Sequence, residues 1–348
     1  VLKARVVVLC LLLAACGADA AAPASVSRST TSTSTTTSTS TTASTTTTAP
    51  ATTTSVAPRA ASVVPPTTAP GPAPAAATGG PCSGARAPEG ITEVVWIAFE
   101  NHQRGQVLGS PSAPYLSSLA RTCASAADYH HVGRPSLPNY LGATSGATYG
   151  VDDDDSPAAH PIEADNLFRQ VRAEGGRAVT YAESMPAACT LTGAGRYAVK
   201  HNPAAYYVGA DDRAACERDD LPLGTTTAGP FADDLRSGNL ARFTLVIPDL
   251  CSDTHDCPVA TGDAWLRRWG GAIFVSEAFR AGHVAVFVAW DEPTPMPFLA
   301  VVPGVTPGTV IRRTIDHYAL LRTTEELLGL PLLAGAADAP SFRGDLRL

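Results

Sequence analysis

"TEVVWIAFEN", residues 92–101, decides how the rest of this chain is read. From Val94 to Phe99 there is no polar break. An amphipathic helix would show a period near 3.6 and a surface strand would alternate, and this stretch does neither. β-Branched and aromatic residues in a short unbroken run mark a strand buried on both faces, the kind found in parallel sheets. The run then stops abruptly at Glu100 and Asn101.

The pattern recurs in "RAVTYA" (177–182), "FTLVIP" (243–248), "HVAVFVAW" (283–290) and "FLAVVP" (298–303). Helix-like stretches lie around and between them: "APYLSSLARTC", "NYLGATSGA", "ADNLFRQVRAEGG", "GDAWLRRWGGAIFVSEAFRAG" and "IDHYALLRTTEELLG". Alternating strand and helix predicts an α/β sandwich around a mostly parallel sheet.

Outside this region the chain is of another kind. Residues 1–15 read as an export leader: Lys3 and Arg5 precede an apolar tract too short to span a membrane. The tract ends at "LAAC", which resembles the lipobox of bacterial lipoproteins, with Cys16 as the residue that would carry lipid. Residues 16–80 are almost entirely Ala, Ser, Thr and Pro. They cannot bury a core and are expected to form a disordered tether. Residues 81–348 then make one catalytic-size domain.

The whole chain carries a formal net charge of −7. Lys3, Arg5, Arg28 and Arg59 precede residue 81 and only Asp19 offsets them, so the domain itself is more acidic still. No basic patch is visible, which argues against nucleic acid as a partner. Clustered carboxylates suit a cation. Beyond Cys10 and Cys16 the cysteines are Cys82, Cys123, Cys189, Cys216, Cys251 and Cys257. An even set in an exported domain predicts disulfides. The two cysteines of "CSDTHDC" are the natural local pair, and Cys189–Cys216 and Cys82–Cys123 complete the set.

Four of the five strand-like runs are followed by acids or amides. Glu100 and Asn101 follow the first, Glu183 the second, and Asp249, Asp253, His255 and Asp256 the third. Asp291 and Glu292 follow the fourth. Open α/β sheets bind ligands outside the carboxyl ends of their strands. Acids and an amide gathered there call for a divalent cation, because bare like charges would force protonation. Oxygen ligands favour Mg²⁺, Ca²⁺ or Mn²⁺, and nearby histidines shift the balance toward zinc or iron. In "GRPSLPNYLGATSG", Ser136 stands at the start of a helix-like run. A helix N-terminus there would stabilise an anion, and Asn139, one turn on, has an amide to offer it. Such a serine, activated by a metal or a base, suits transfer of a phosphoryl group.

Seven segments in order carry a resemblance: "ENHQ", "GRPSLPNYLGATSG", "YAESMPAAC", "KHNPAAYY", "IPDLCSDTHDC", "AWDEP" and "DHYALLRTTEELLGLP". Over about residues 91–331 the chain resembles the bacterial phosphoesterase family of phospholipase C and acid phosphatase enzymes, within the alkaline-phosphatase-like superfamily. The resemblance implies a three-layer α/β/α sandwich and a metal-dependent phosphoric ester hydrolase working through phosphoserine. It implies Ser136 as nucleophile, with Asn139, His201, His255 and His317 as further catalytic residues. It implies Glu100, Asn101, Asp253, Asp256, Asp291 and Glu292 as metal ligands. The expected partner is a phosphate ester, with phospholipid as one candidate, and the expected location is outside the cell, lipid-anchored or secreted. Two positions depart from the pattern: Gln103 stands where Ser or Thr is expected, and Asp249 where the family has Asn. A surface lipoprotein that binds a ligand through a decayed site is the competing expectation, and it predicts missing ligands.

Overall fold

The computed structural model describes residues 79–348. The leader, Cys16 and nearly all of the tether lie outside the described residues. The strands are β1 (Glu93–Phe99), β2 (Ala124–Ala126), β3 (Tyr129–His130), β4 (Ala178–Ala182), β5 (Asp220–Pro222), β6 (Phe243–Ile247), β7 (Val284–Trp290), β8 (Phe298–Val301), β9 (Thr309–Ile311) and β10 (Ile315–Asp316). Eight of them form one sheet in the order β5-β4-β6-β1-β7-β8-β2-β9, and β10 pairs with β3 separately.

From β5 through β7 all neighbours are parallel. The opening stretch is β1, and Trp96 lies opposite Leu245 on one side and Phe287 on the other. One expectation needs correction. The unbroken apolarity of "FLAVVP" predicts another parallel strand, yet β8 runs antiparallel to β7. Residues 291–297 are too short a link for the crossover that a parallel return requires. The short strands β2, β5 and β9 are too brief to show any periodicity.

The helices are α1 (Arg104–Val107), α2 (Pro114–Thr122), α3 (Ser136–Ser145), α4 (Leu167–Ala173), α5 (Asp212–Asp219), α6 (Pro230–Ser237), α7 (Val259–Ile273), α8 (Glu277–Ala281) and α9 (His317–Leu328). The stretch 262–282 looked like one helix, but α7 ends at Ile273. The Ser276 side chain then accepts from the Phe279 N–H and starts α8.

Side chains of β1 show the layering. Trp96 donates its Nε1–H to Thr324 of α9 at 3.0 Å, whereas the Phe99 ring meets Trp265 of α7 edge-on. Residues three apart on a strand face opposite sides. Helices α3, α4 and α9 therefore cover one face, and α2, α6 and α7 the other. The three-layer α/β/α sandwich stands as expected.

All three expected disulfides are formed: Cys82–Cys123, Cys189–Cys216 and Cys251–Cys257. The last closes the loop after β6 that carries Asp253 and His255. Among the described residues no helix is long and apolar enough to cross a membrane.

Phe99 is fully buried, stacked on Trp290 with ring centroids 4.7 Å apart, and its main chain leads directly into Glu100. Phe99→Ala should lower unfolding stability by about 3–5 kcal/mol. Chemical denaturation checks this, and a loss below about 1 kcal/mol would mean the aromatic layer does not hold the strand.

Candidate active site

Glu100 follows the last residue of β1 and is completely buried. Its main-chain N–H donates to the Asp253 carbonyl at 2.9 Å, which ties the β1 end to the loop after β6. Ser136 is the first residue of α3, and its hydroxyl donates to Glu100 Oε2 at 3.2 Å. Tyr140, one turn along α3, donates its hydroxyl to Glu100 Oε1. His201 lies between Glu100 and Asp253, with Nε2 3.3 Å from Glu100 Oε1 and Nδ1 3.3 Å from Asp253 Oδ2. Tyr140 stacks on its ring.

Asp291 follows β7, directly beside β1. Its Oδ1 accepts from the Asn101 N–H at 3.1 Å. Asn101 has φ +57°, a left-handed backbone that asparagine tolerates better than most residues. Thr254 also sits in that region, at φ +78°, where a β-branched residue is strained. Its hydroxyl donates to the Glu100 carbonyl at 3.0 Å, one of the bonds that hold the strained loop against β1.

The electrostatics follow from burial. Desolvation, reinforced by Asp291 and Asp253, pushes the Glu100 carboxyl well above the usual range. Burial lifts Asp253 to about 7 and Asp291 to about 6. Burial, with Lys200 adding repulsion, pushes the His201 imidazole well below its ordinary value, so it stays neutral. Asp253 Oδ2, Asp291 Oδ2 and His201 Nε2 are buried with no hydrogen-bond partner. Ligand atoms of Glu100, His201 and His255 lie within 4.8 Å of one another. Unpartnered carboxylate oxygens beside a neutral imidazole, with Glu100, His201 and His255 offering ligand atoms close together, fit a divalent cation.

Not every expected residue joins this cluster. Asp256 is more than half exposed, and its Oδ1 accepts from His255 Nδ1 at 2.7 Å, the role of a group that orients a ligand. Glu292 pairs with Arg134 at 2.8 Å. Asn101 contributes its N–H. Asn139 turns inward: Oδ1 accepts from the N–H groups of Val132 and Gly133, and Nδ2 donates to the Pro135 carbonyl. Its amide shapes the turn before Ser136. His317 is also engaged inside the fold. Its Nε2 must donate to the Asp291 carbonyl at 3.0 Å, so Nδ1 accepts from the Tyr129 hydroxyl at 2.7 Å. With both nitrogens engaged and burial pushing it down to about 4, it is a neutral brace for Asp291. Asp249 binds the N–H groups of Cys251 and Ser252 and the Ser184 hydroxyl, so it builds the loop and adds no ligand to the cluster.

The profile of the Phosphoesterase family matches residues 90–294. A phosphatidylinositol-3-phosphatase of Mycobacterium tuberculosis is 31% identical over 259 residues, covering 72% of this chain and 81% of that protein. This chain belongs to the Phosphoesterase family. Membership makes it a hydrolase of phosphoric ester bonds. A phosphate-repressible acid phosphatase of Penicillium chrysogenum is 28% identical over 237 residues, 63% of this chain, which spans about half (55%) of the fungal protein. Among solved structures, an alkaline phosphatase superfamily protein from Vibrio parahaemolyticus aligns with a TM-score of 0.45 at 13% identity, covering 76% of this chain and 74% of that one.

Sequence reasoning on this phosphoesterase missed Tyr140 as a Glu100 contact and Thr254 as a loop tie. The signal for Tyr140 was its spacing of four from Ser136, which puts both on one helix face.

The raised carboxyls set a pH dependence. A proton held by a buried acid supports the fold at low pH, and that support is lost as pH rises through the folded pKa. His201 and His317 act oppositely, but only below their unfolded value near 6.5. Between about pH 6.5 and 8 the raised acids Glu100, Asp253, Asp220 and Glu325 all act in the same direction, and of these only Glu100 and Asp253 belong to the cluster that a cation would relieve. In chelator the melting temperature should fall across this window, and an added divalent cation should restore it, more at pH 8 than at 6.5. Superimposable melting curves with chelator and with metal would contradict the cation site.

Proposed function

We propose that this phosphoesterase is a divalent-cation-dependent hydrolase in which Ser136 attacks phosphorus and carries the phosphoryl group until water removes it. The observation that carries this reading is Ser136 at the tip of α3, hydrogen-bonded to the carboxylate on which the whole acidic cluster converges. Glu100, Asp253, Asp291, His201 and His255 would hold the cation. Two histidines in that set favour zinc, iron or manganese over magnesium or calcium. When bound, the cation supplies charge stabilisation at the phosphoryl oxygens and lowers the pKa of the serine hydroxyl.

The chain's own groups do the rest. Glu100 orients the Ser136 hydroxyl. The dipole of α3 favours negative charge beside Ser136. Neutral His201 leaves a lone pair toward the cluster, and His317 fixes the Asp291 main chain. The clustered acids, the serine and the histidines come together, which counts against a decayed site that only binds a ligand.

Export fits three disulfides, and attachment through Cys16 would place the domain at the outer membrane surface, within reach of phospholipid as well as soluble phosphate esters. The mycobacterial relative's name points the same way.

Ser136→Ala should lower kcat on p-nitrophenyl phosphate by at least about a thousandfold with KM changed far less. Acid quenching during turnover should trap phosphate on the Ser136 peptide of the unsubstituted enzyme. If Ser136→Ala keeps more than about a tenth of the rate, or the label sits on a histidine, the phosphoserine route is wrong.

A further inference from the structure

Residues 81–348 contain a single lysine, Lys200; every other cationic side chain there except histidine is arginine. Lys200 lies on the turn that also carries His201. Its ammonium donates to Asp154 Oδ2 at 2.8 Å, and its side chain is 23% exposed. The other oxygen of Asp154 accepts from the N–H of Leu137 at 2.9 Å. Leu137 directly follows Ser136. One carboxylate thus bridges the ammonium and the helix N–H beside the serine.

Asp154 belongs to the run Asp152–Asp155, which composition alone marks as a solvated loop. Asp153 does face outward, pairing with His160 and with the Asp155 N–H. Asp154 alone turns in. The residue before α3 is Pro135, whose side chain cannot cap, so nothing local competes for the Leu137 N–H. A carboxylate there occupies donors that match an anionic phosphoryl oxygen in charge and reach. The charges of Glu100 and Asp291 also reach the ammonium. It offers three donors on a flexible stem, so it can turn from one oxyanion to another.

We propose that Lys200 is the cation that binds the phosphoryl group attacked by Ser136, and that Asp154 is an internal anion occupying those donors until substrate displaces it. The proposal rests on Ser136 as the nucleophile. It also narrows the substrate class. A phosphomonoester dianion brings two charges to a site already rich in acid, whereas a diester brings one. Lys200 therefore gives the monoester the larger advantage.

The test uses the full chain with metal, p-nitrophenyl phosphate against bis-p-nitrophenyl phosphate, and inorganic phosphate as inhibitor. Lys200→Ala should cut kcat/KM for the monoester about ten- to a hundredfold and weaken phosphate inhibition by a similar factor. It should affect the diester several-fold less. Lys200→Arg should restore part of both. Asp154→Asn should make inorganic phosphate bind more tightly, because the competing charge is gone. The proposal is overturned if Lys200→Ala and Asp154→Asn lower the melting temperature while leaving the monoester-to-diester ratio and phosphate inhibition unchanged. The pair would then be a helix cap and nothing more. If the unsubstituted enzyme hydrolyses neither ester, the hydrolase mechanism fails on its own account. Calorimetric titration of inorganic phosphate into the unsubstituted protein and Lys200→Ala still decides the Lys200 question: equal affinity, or no binding by either, rejects it.

Discussion

Asp253 and Asp291 are buried on either side of Glu100, and three such carboxylates cannot stand ionised together away from water without a cation. Much of the site follows from that constraint. Tyr140 and Ser136 each give Glu100 a proton to share. His201 stays neutral between two acids when charge would seem to favour the imidazolium, because its burial outweighs their attraction. Oxygens of Asp253 and Asp291 and a nitrogen of His201 are left without partners, in a fold that otherwise satisfies most of its buried polar side chains.

The sheet produces this crowding. Neighbouring parallel strands end at the same edge, so the residues after β1, β6 and β7 meet there without any long loop to bring them together. Aromatic packing of Phe99 on Trp290 and Trp265 fixes where β1 stops. The Cys251–Cys257 disulfide and the strained Thr254 hold the β6 loop against it. Helix α3 is packed on the opposite face from α7 and delivers Ser136, its first residue, to Glu100 at the end of β1. Catalytic potential is thus a property of strand ends and one helix start, supported by a core that the long apolar runs specify.

Those features were legible for a physical reason. A doubly buried strand must be apolar throughout, so its end is sharp, and the acids just past it stand out. The even cysteine set could be paired by proximity in sequence. Less was legible where a side chain's direction matters. Nothing in "DHYALL" says that both ring nitrogens of His317 are consumed inside the fold, or in "SLPN" that the Asn139 amide turns back to its own loop. The direction of β8 depended on the length of a connection, which periodicity does not report. Asp154 differs from its neighbouring aspartates only in where the backbone turns it, so composition read all four alike.

The central claim is that the acidic cluster holds protons until a cation replaces them. Calorimetric titration of zinc or manganese into the chelated protein near pH 7, repeated in buffers of different ionisation enthalpy, counts the protons released on binding. With Glu100 raised by burial and by its acidic neighbours, and Asp253 near half protonation, the account predicts saturable binding and a net proton release, reduced in Glu100→Gln. Tight binding with no proton release would show that the carboxylates are already ionised without metal. Absence of binding would show that the cluster is not a cation site.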